Sequence, residues 1–176
     1  MSKKRLFFGL LPDKEVHEQL VELSRSFPIV KGVRPVPNNN LHITLQFLGD
    51  LEANERKCLE KKMVQTFVQA FSLRLDLYGY FKLSQTLWLG CSSYPRELTR
   101  LVNHLKSIAE NCGVNTDEGI YKPHVTLFKK VPKAEFPDIP FTITWRATEF
   151  HLLESVSDEN TTRYNKLATY SFLKEE

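Results

Sequence analysis

Leu6 to Leu11 form an uninterrupted apolar run that ends at Pro12, the pattern of a buried strand. From Asp13, placed as an N-cap, Val16, Leu20, Leu23 and Phe27 recur at helical spacing, with Lys14, Glu15, Glu18 and Glu22 on the other face. Gly32, Pro35, Pro37 and three Asn mark a loop from Pro28 to Asn40, and Leu41 to Leu48 then reads as a strand stopped by Gly49-Asp50. A second helix is predicted over Asn54 to Ala70, with Leu59, Met63 and Phe67 on its buried stripe. Ser72 to Phe81 alternates as one half-buried strand, and Thr86 to Cys91 reads as another. Pro95 opens a third helix whose stripe is Leu98, Leu101, Val102, Leu105, Ile108 and Ala109, ending near Gly113. His124 to Val131 is strand-like, and after Pro132, Pro137 and Pro140 the runs Phe141 to Leu153 and Arg163 to Leu173 predict long antiparallel strands.

The pattern repeats. Shifted by 82 positions, Leu-His-Ile-Thr-Leu at 41–45 falls on Pro-His-Val-Thr-Leu at 123–127. With the same shift and no gap, Leu6 falls on Trp88, Phe7 on Leu89, Val16 on Leu98, Leu20 on Val102 and Leu23 on Leu105. Strand, helix, loop and a His-x-Thr-Leu strand thus occur twice with equal spacing, which predicts two similar lobes. Residues 1–176 read as a single domain made of these two lobes.

Within a strand, residues i and i+2 share a face, so His42 and Thr44 emerge together, as do His124 and Thr126, while Ile43, Leu45, Val125 and Leu127 point into a core. Lobes facing each other bring both pairs to one cleft. Two imidazoles flanking one substrate suit acid and base catalysis, since one can be neutral while the other is protonated near neutral pH. Two hydroxyls beside them can bind non-bridging phosphate oxygens and hold the phosphate in line. Neither motif carries the carboxylate or second close His of a hydrolytic metal site, so no metal or cofactor is expected. The reaction class indicated is phosphodiester cleavage. A lone strand His is usually structural, and His17, His104 and His151 lack the paired context; His17 and His104 fall on predicted helices as surface residues.

Composition adds exclusions. Of 176 residues, 41% are apolar and 26% charged, which excludes a mainly disordered chain and a polytopic membrane protein. Twenty-four Lys plus Arg against 21 Asp plus Glu permit an anionic partner without demanding one. Cys58, Cys91 and Cys112 are odd in number and widely spaced, which reads as three reduced thiols in a cytoplasmic protein. The basic start before Leu6 has the charge order of a signal peptide but no cleavage site, and the sequon at Asn160 carries little weight without one. Nothing reads as a dimerisation or membrane segment, so a monomer is expected.

Arg5-Leu6-Phe7-Phe8-Gly9, Asn40 to Gly49 with its His-Ile-Thr-Leu, Lys122 to Leu127 with its His-Val-Thr-Leu, and Arg163-Tyr164 before the last strand together resemble the two-histidine phosphoesterase superfamily. Within it they are similar to the LigT-like branch of RNA 2′,3′-cyclic phosphodiesterases, also called 2′-5′ RNA ligases. The resemblance implies an α+β fold of two pseudo-symmetric lobes, with antiparallel sheets lining a central cleft and helices outside, and hydrolysis of 2′,3′-cyclic phosphate ends to 2′-phosphates without a metal, with reversible 2′-5′ ligation. It implies His42 as proton donor to the departing O3′ and His124 as proton acceptor from water. Thr44, Thr126 and Lys129 are then the phosphate-binding residues, and Phe7 the nucleoside-binding one. Lys129 departs from the Arg usual after the second motif, and keeps the charge without the bidentate fork. The Lys before Pro123 stands where some relatives have His.

The partners implied are RNA ends or cyclic nucleotides. Arg34 and Lys31 before the first motif, and Lys122, Lys129 and Lys130 around the second, fit such an anion, while Trp88 and Tyr121 read as packing residues. The alternatives are an RNA-end-binding protein with weak or no turnover, and a phosphodiesterase for another cyclic or 2′-5′-linked nucleotide.

Overall fold

The computed structural model describes residues 3–28, 30–63, 68–116, 118–158 and 161–173. The opening apolar run lies in β1 (Lys4–Leu10), which has strands on both edges, so Leu6 to Leu10 are all buried. The Asp13 carboxylate accepts from the Val16 backbone N–H at 2.9 Å and starts α1 (Lys14–Arg25) as expected. After the two-residue β2 (Arg34–Pro35) and a 3₁₀ turn at Asn38–Asn40 comes β3 (Ile43–Leu51).

α2 (Ala53–Lys62) is shorter than the periodicity predicts. Leu59 and Met63 are buried, but Phe67 lies outside the described residues, and the chain at 68–70 is extended. There Ala70 N–H donates to the Leu173 carbonyl and Leu173 N–H to that of Val68, so pairing with the C-terminal segment overrides helical periodicity. Ser72 to Phe81 divides at Asp76 into β4 (Phe71–Leu75) and β5 (Leu77–Phe81). β6 (Thr86–Gly90) and α3 (Arg96–Asn111) follow, the helix closing at Gly113 with φ +79°, which favours glycine. β7 (His124–Lys129) carries the second motif. Phe141 to Leu153 also divides, at Thr148, into β8 (Ile143–Ala147) and β9 (Glu149–Ser157), and β10 (Thr162–Ser171) is the final strand.

The main sheet has eight antiparallel strands in the order β10-β9-β1-β3-β7-β6-β5, with β2 also on β7. β4 and β8 form a separate antiparallel pair, so each divided run starts in the small sheet and ends in the large one. β6 and α3 start 82 positions after β1 and α1, matching the offset of the two motifs. Leu6, Phe8, Leu10, Leu87, Leu89, Val125 and Leu127 face a core completed by the buried stripes of α1 and α3. Phe7, Trp88 and Leu153 are buried on the opposite face, outside that core.

The three cysteines differ from expectation. Cys58 of α2 and Cys112 at the end of α3 form a disulfide, and only Cys91 is free, because packing of α2 on α3 joins residues 54 apart in sequence. Burial pushes the Cys91 thiol up to about 11, which leaves it unreactive. Among the described residues, no helix is long and apolar enough to cross a membrane.

On the face opposite the core, the Trp88 indole lies across two glycines. A Cβ on Gly79 would come within 2.2 Å of the indole, and one on Gly90 within 2.5 Å. Flanked on both sides, the ring has no room to shift. Gly79→Ala is expected to destabilise the protein by about 1–3 kcal/mol, read from the urea midpoint. An unchanged midpoint would mean that the indole does not occupy that place.

Candidate active site

β3 and β7 share one bridge, Ile43 opposite Val125, and both side chains are fully buried. Carried one residue either way, this antiparallel register sets His42 across from Thr126 and Thr44 across from His124. Alternation puts these four residues on the face opposite Ile43 and Val125, away from the core. All four are half-buried.

Backbone carbonyls orient both imidazoles. His42 Nδ1 lies 2.7 Å from the Asn40 carbonyl and His124 Nδ1 lies 2.7 Å from the Lys122 carbonyl, the same two-residue step in each motif. A carbonyl only accepts, so in each ring Nδ1 donates, and the neutral ring keeps its lone pair on Nε2. In His42 that lone pair accepts from the Thr44 hydroxyl at 3.0 Å. The buried Asn40 amide donates to the Thr162 carbonyl of β10, tying the turn before the first motif to the sheet's edge.

Each ring also sits in an aromatic notch. His42 has Phe7 at 5.1 Å and Tyr164 edge-on at 4.9 Å; His124 has Phe81 edge-on at 5.0 Å and Trp88 at 5.5 Å. Burial in the notch lowers the His42 pKa to about 4 against the opposing pull of the Asn40 carbonyl, and the charges of His124 and Lys129 lower it further. Burial also lowers the His124 pKa, opposed by the Lys122 carbonyl. Both rings are therefore neutral at pH 7 in the free protein.

Lys129 ends β7 directly opposite Arg34 of β2, and both are exposed. Like charges facing each other across two strands repel, and neither has a carboxylate partner among the described residues. Phe7 is only 3% exposed, beneath His42, Phe47 and Tyr164, and the exposed aromatic here is Phe47, 59% accessible. Strict alternation turns Phe47 away from Thr44. A β-bulge at Leu45, where Phe8 pairs with Gln46 but Gly9 with Thr44, brings it back to the same face. Among the described residues, Thr44 and His124 line an open pocket of about 580 Å³ together with Phe47, Ile120, Lys122, and Asn103 and Lys106 of α3.

His17 bonds the Asn38 carbonyl from α1, His104 lies on α3, and His151 is buried beside Thr169 and Glu149, so none joins the pair. Trp88 and Tyr121 pack as expected, the Tyr121 hydroxyl donating to the Thr44 carbonyl at 3.1 Å. Sequence reasoning missed Phe81, the two orienting carbonyls and the place of Phe47. Backbone groups have no residue signature, and a bulge breaks the period by which faces are assigned. Among the described residues, no three His, Cys, Asp or Glu are grouped so as to hold a metal ion.

The family model described as the 2′-5′ RNA ligase superfamily matches residues 12–159. The chain is 34% identical over 170 residues to the RNA 2′,3′-cyclic phosphodiesterase of Escherichia coli, covering 96% of each chain. Among solved structures, a phosphoesterase superposes with a TM-score of 0.90 at 32% identity, covering 97% of this chain and 98% of the other. The E. coli LigT complex with 3′-AMP superposes with a TM-score of 0.88 at 31% identity and the same coverage. A duplicated strand-helix-strand frame that sets two His-x-Thr pairs on one face, together with these matches over nearly the whole length, makes this chain a member of the 2′-5′ RNA ligase superfamily.

Proposed function

We propose that this protein is an RNA 2′,3′-cyclic phosphodiesterase that opens cyclic phosphate ends to 2′-phosphates by acid and base catalysis between His42 and His124. The observation that carries this reading is the convergence of the two carbonyl-oriented imidazoles and two threonines around the Ile43–Val125 bridge. It is supported by the activity named for the E. coli relative and by the 3′-AMP complex of LigT.

In this reading residues 1–176 work as one catalytic unit of two lobes, one carrying His42 and the other His124. One chain supplies every group required, so the unit acts as a monomer, in the cytoplasm where RNA ends are its substrate. The Thr44 and Thr126 hydroxyls hold non-bridging oxygens, and Lys129, with Arg34 beside it, offsets phosphate charge. Phe7 supports the nucleoside side of the site from below His42. His124 Nε2 takes a proton from water as its oxygen bonds to phosphorus. The P–O3′ bond breaks, and His42 Nε2 gives its proton to O3′, leaving the 2′-phosphate. With a 5′-hydroxyl in the place of water, the same groups form the P–O5′ bond as P–O3′ breaks, the 2′-5′ ligation, and microscopic reversibility lets them undo it. The base is ready as the neutral ring of the free protein. The acid is not, because His42 titrates at about 4, so it gains its proton as the bound phosphate anion stabilises the imidazolium.

The protein is expected to open a 2′,3′-cyclic nucleotide in EDTA, giving the 2′-phosphate by phosphorus NMR. His42→Ala and His124→Ala should each lower kcat by at least about 100-fold. Full activity in either variant would sink the mechanism, and a 3′-phosphate product would overturn the bond choice.

The depressed pKa values also fix the sign of the pH dependence. Activity falls below the pKa of the base and above that of the acid, and kcat/KM reports the free protein while kcat reports the complex. Since both free-protein values lie below 6.5, the kcat/KM maximum is expected below pH 6.5. Bound phosphate raises the His42 value, so the alkaline limb of kcat should lie at higher pH than that of kcat/KM. Coincident alkaline limbs would contradict this assignment of His42.

A further inference from the structure

The leucine of each His-x-Thr-Leu bulges. In β3 the extra residue is Leu45, and in β7 it is Leu127, since Trp88 pairs with Thr126 but Leu87 with Phe128. The second bulge leaves Phe128 against the core with Leu87 and turns Lys129 to the cleft face, the place that Phe47 takes in the first half. β6 occupies one edge of β7, so β2 and β3 lie end to end along the other. Arg34 is opposite Lys129, and Val36 N–H reaches the Leu127 carbonyl at 2.8 Å. The chain then leaves through the 3₁₀ turn and returns with Ile43 opposite Val125. Opposite residues of an antiparallel pair share a face, so Arg34 joins Lys129 on the cleft face, in the row beyond His42 and Thr126. Val33 and Val36 pack against the core on either side, which fixes this segment while the Arg34 side chain stays exposed. Lys129 is near enough for its charge to act on His42.

Two cations facing each other across a strand pair repel, and among the described residues neither meets a carboxylate. An anion between them reverses that balance. The two side chains differ in what they do for it. An ammonium is a point charge that leaves a phosphate free to turn, whereas a guanidinium sets its planar fork against two oxygens at once. In-line displacement between His124 and His42 requires the phosphate to be held in one orientation. Building on the proposed activity, we infer that Arg34 grips the two non-bridging oxygens of the reacting phosphate as a bidentate fork, while Lys129 supplies charge to the same phosphate. Arg34 thereby orients the substrate in addition to offsetting its charge, and it does so from a two-residue strand that precedes the first motif.

The test holds net charge constant. It compares the unmodified protein with Arg34→Lys and with the exchange Arg34→Lys plus Lys129→Arg. Each is assayed on a 2′,3′-cyclic mononucleotide and by calorimetric binding of a nucleoside 2′-phosphate. Arg34→Lys is expected to lower kcat/KM by about tenfold or more and to weaken 2′-phosphate binding by a similar factor, the loss of one charge-assisted hydrogen bond. The exchange returns a fork to the same phosphate from the facing strand and should recover most of both losses. Unchanged kcat/KM and binding in Arg34→Lys would show that charge alone matters there and overturn the inference, as would an exchange variant no better than Arg34→Lys. An unmodified protein that opens no cyclic phosphate would overturn the activity instead, and the binding measurement would still decide whether Arg34 grips the phosphate.

Discussion

The site depends on the one backbone bridge that joins the two motif strands. Ile43 meets Val125 where β3 and β7 come together, and their buried side chains close the core beneath that point. Because the bridge is antiparallel, one residue on either side puts an imidazole opposite a hydroxyl, twice over. A one-residue slip in this register would turn one of the two histidines into the core and separate the pair. Two further contacts hold it from the flanks. Val36 N–H donates to the Leu127 carbonyl at 2.8 Å, and the Tyr121 hydroxyl to that of Thr44. On either side the strands take other partners, β3 following β1 and β7 pairing with β6 and β2. This divergence leaves room for a ligand above the bridge.

The orientation of the imidazoles follows from the backbone leading into each motif. A carboxylate on Nδ1 would fix the tautomer too, but would hold the ring protonated. A carbonyl fixes the same tautomer with less stabilisation of the cation, so burial among aromatic rings prevails and both pKa values fall. The arrangement leaves two neutral rings whose protonation depends on the charge of whatever binds. Asn40 has a double role, its carbonyl orienting His42 while its side chain anchors the turn to β10.

The duplicated frame, the helices α1 and α3 and the shared face of His42 and Thr44 were legible from the sequence because each rests on local periodicity: 3.6 for Val16, Leu20 and Leu23, and 2.0 for His42 and Thr44. What stayed hidden depends on which distant segment a residue meets. Ser72 to Phe81 alternates without interruption, yet Asp76 marks a change of sheet, its carboxylate accepting from both the backbone N–H and the hydroxyl of Ser92. Thr148 marks the matching change between β8 and β9, where its carbonyl accepts from Phe172 N–H. Period-two alternation is the same on either side of such a junction. Likewise, nothing local reveals that residues 68–70 pair with Leu173, that Cys58 meets Cys112, or that a bulge turns Phe47 toward the site.

Net charge illustrates the same limit from another direction. An excess of three cations is too small to indicate a polyanion, yet four basic side chains border the cleft. The register along β7 puts Arg34 and Lys129 at one end, beyond Thr126 and His42, while Lys122 and Lys106 border the pocket that leaves from His124 and Thr44. Fields from cations at both ends add over the bridge, where the quartet itself carries no formal charge at pH 7. The same field opposes a second proton on the imidazole pair until an anion has entered, and so couples occupancy of the cleft to the charge state of His42.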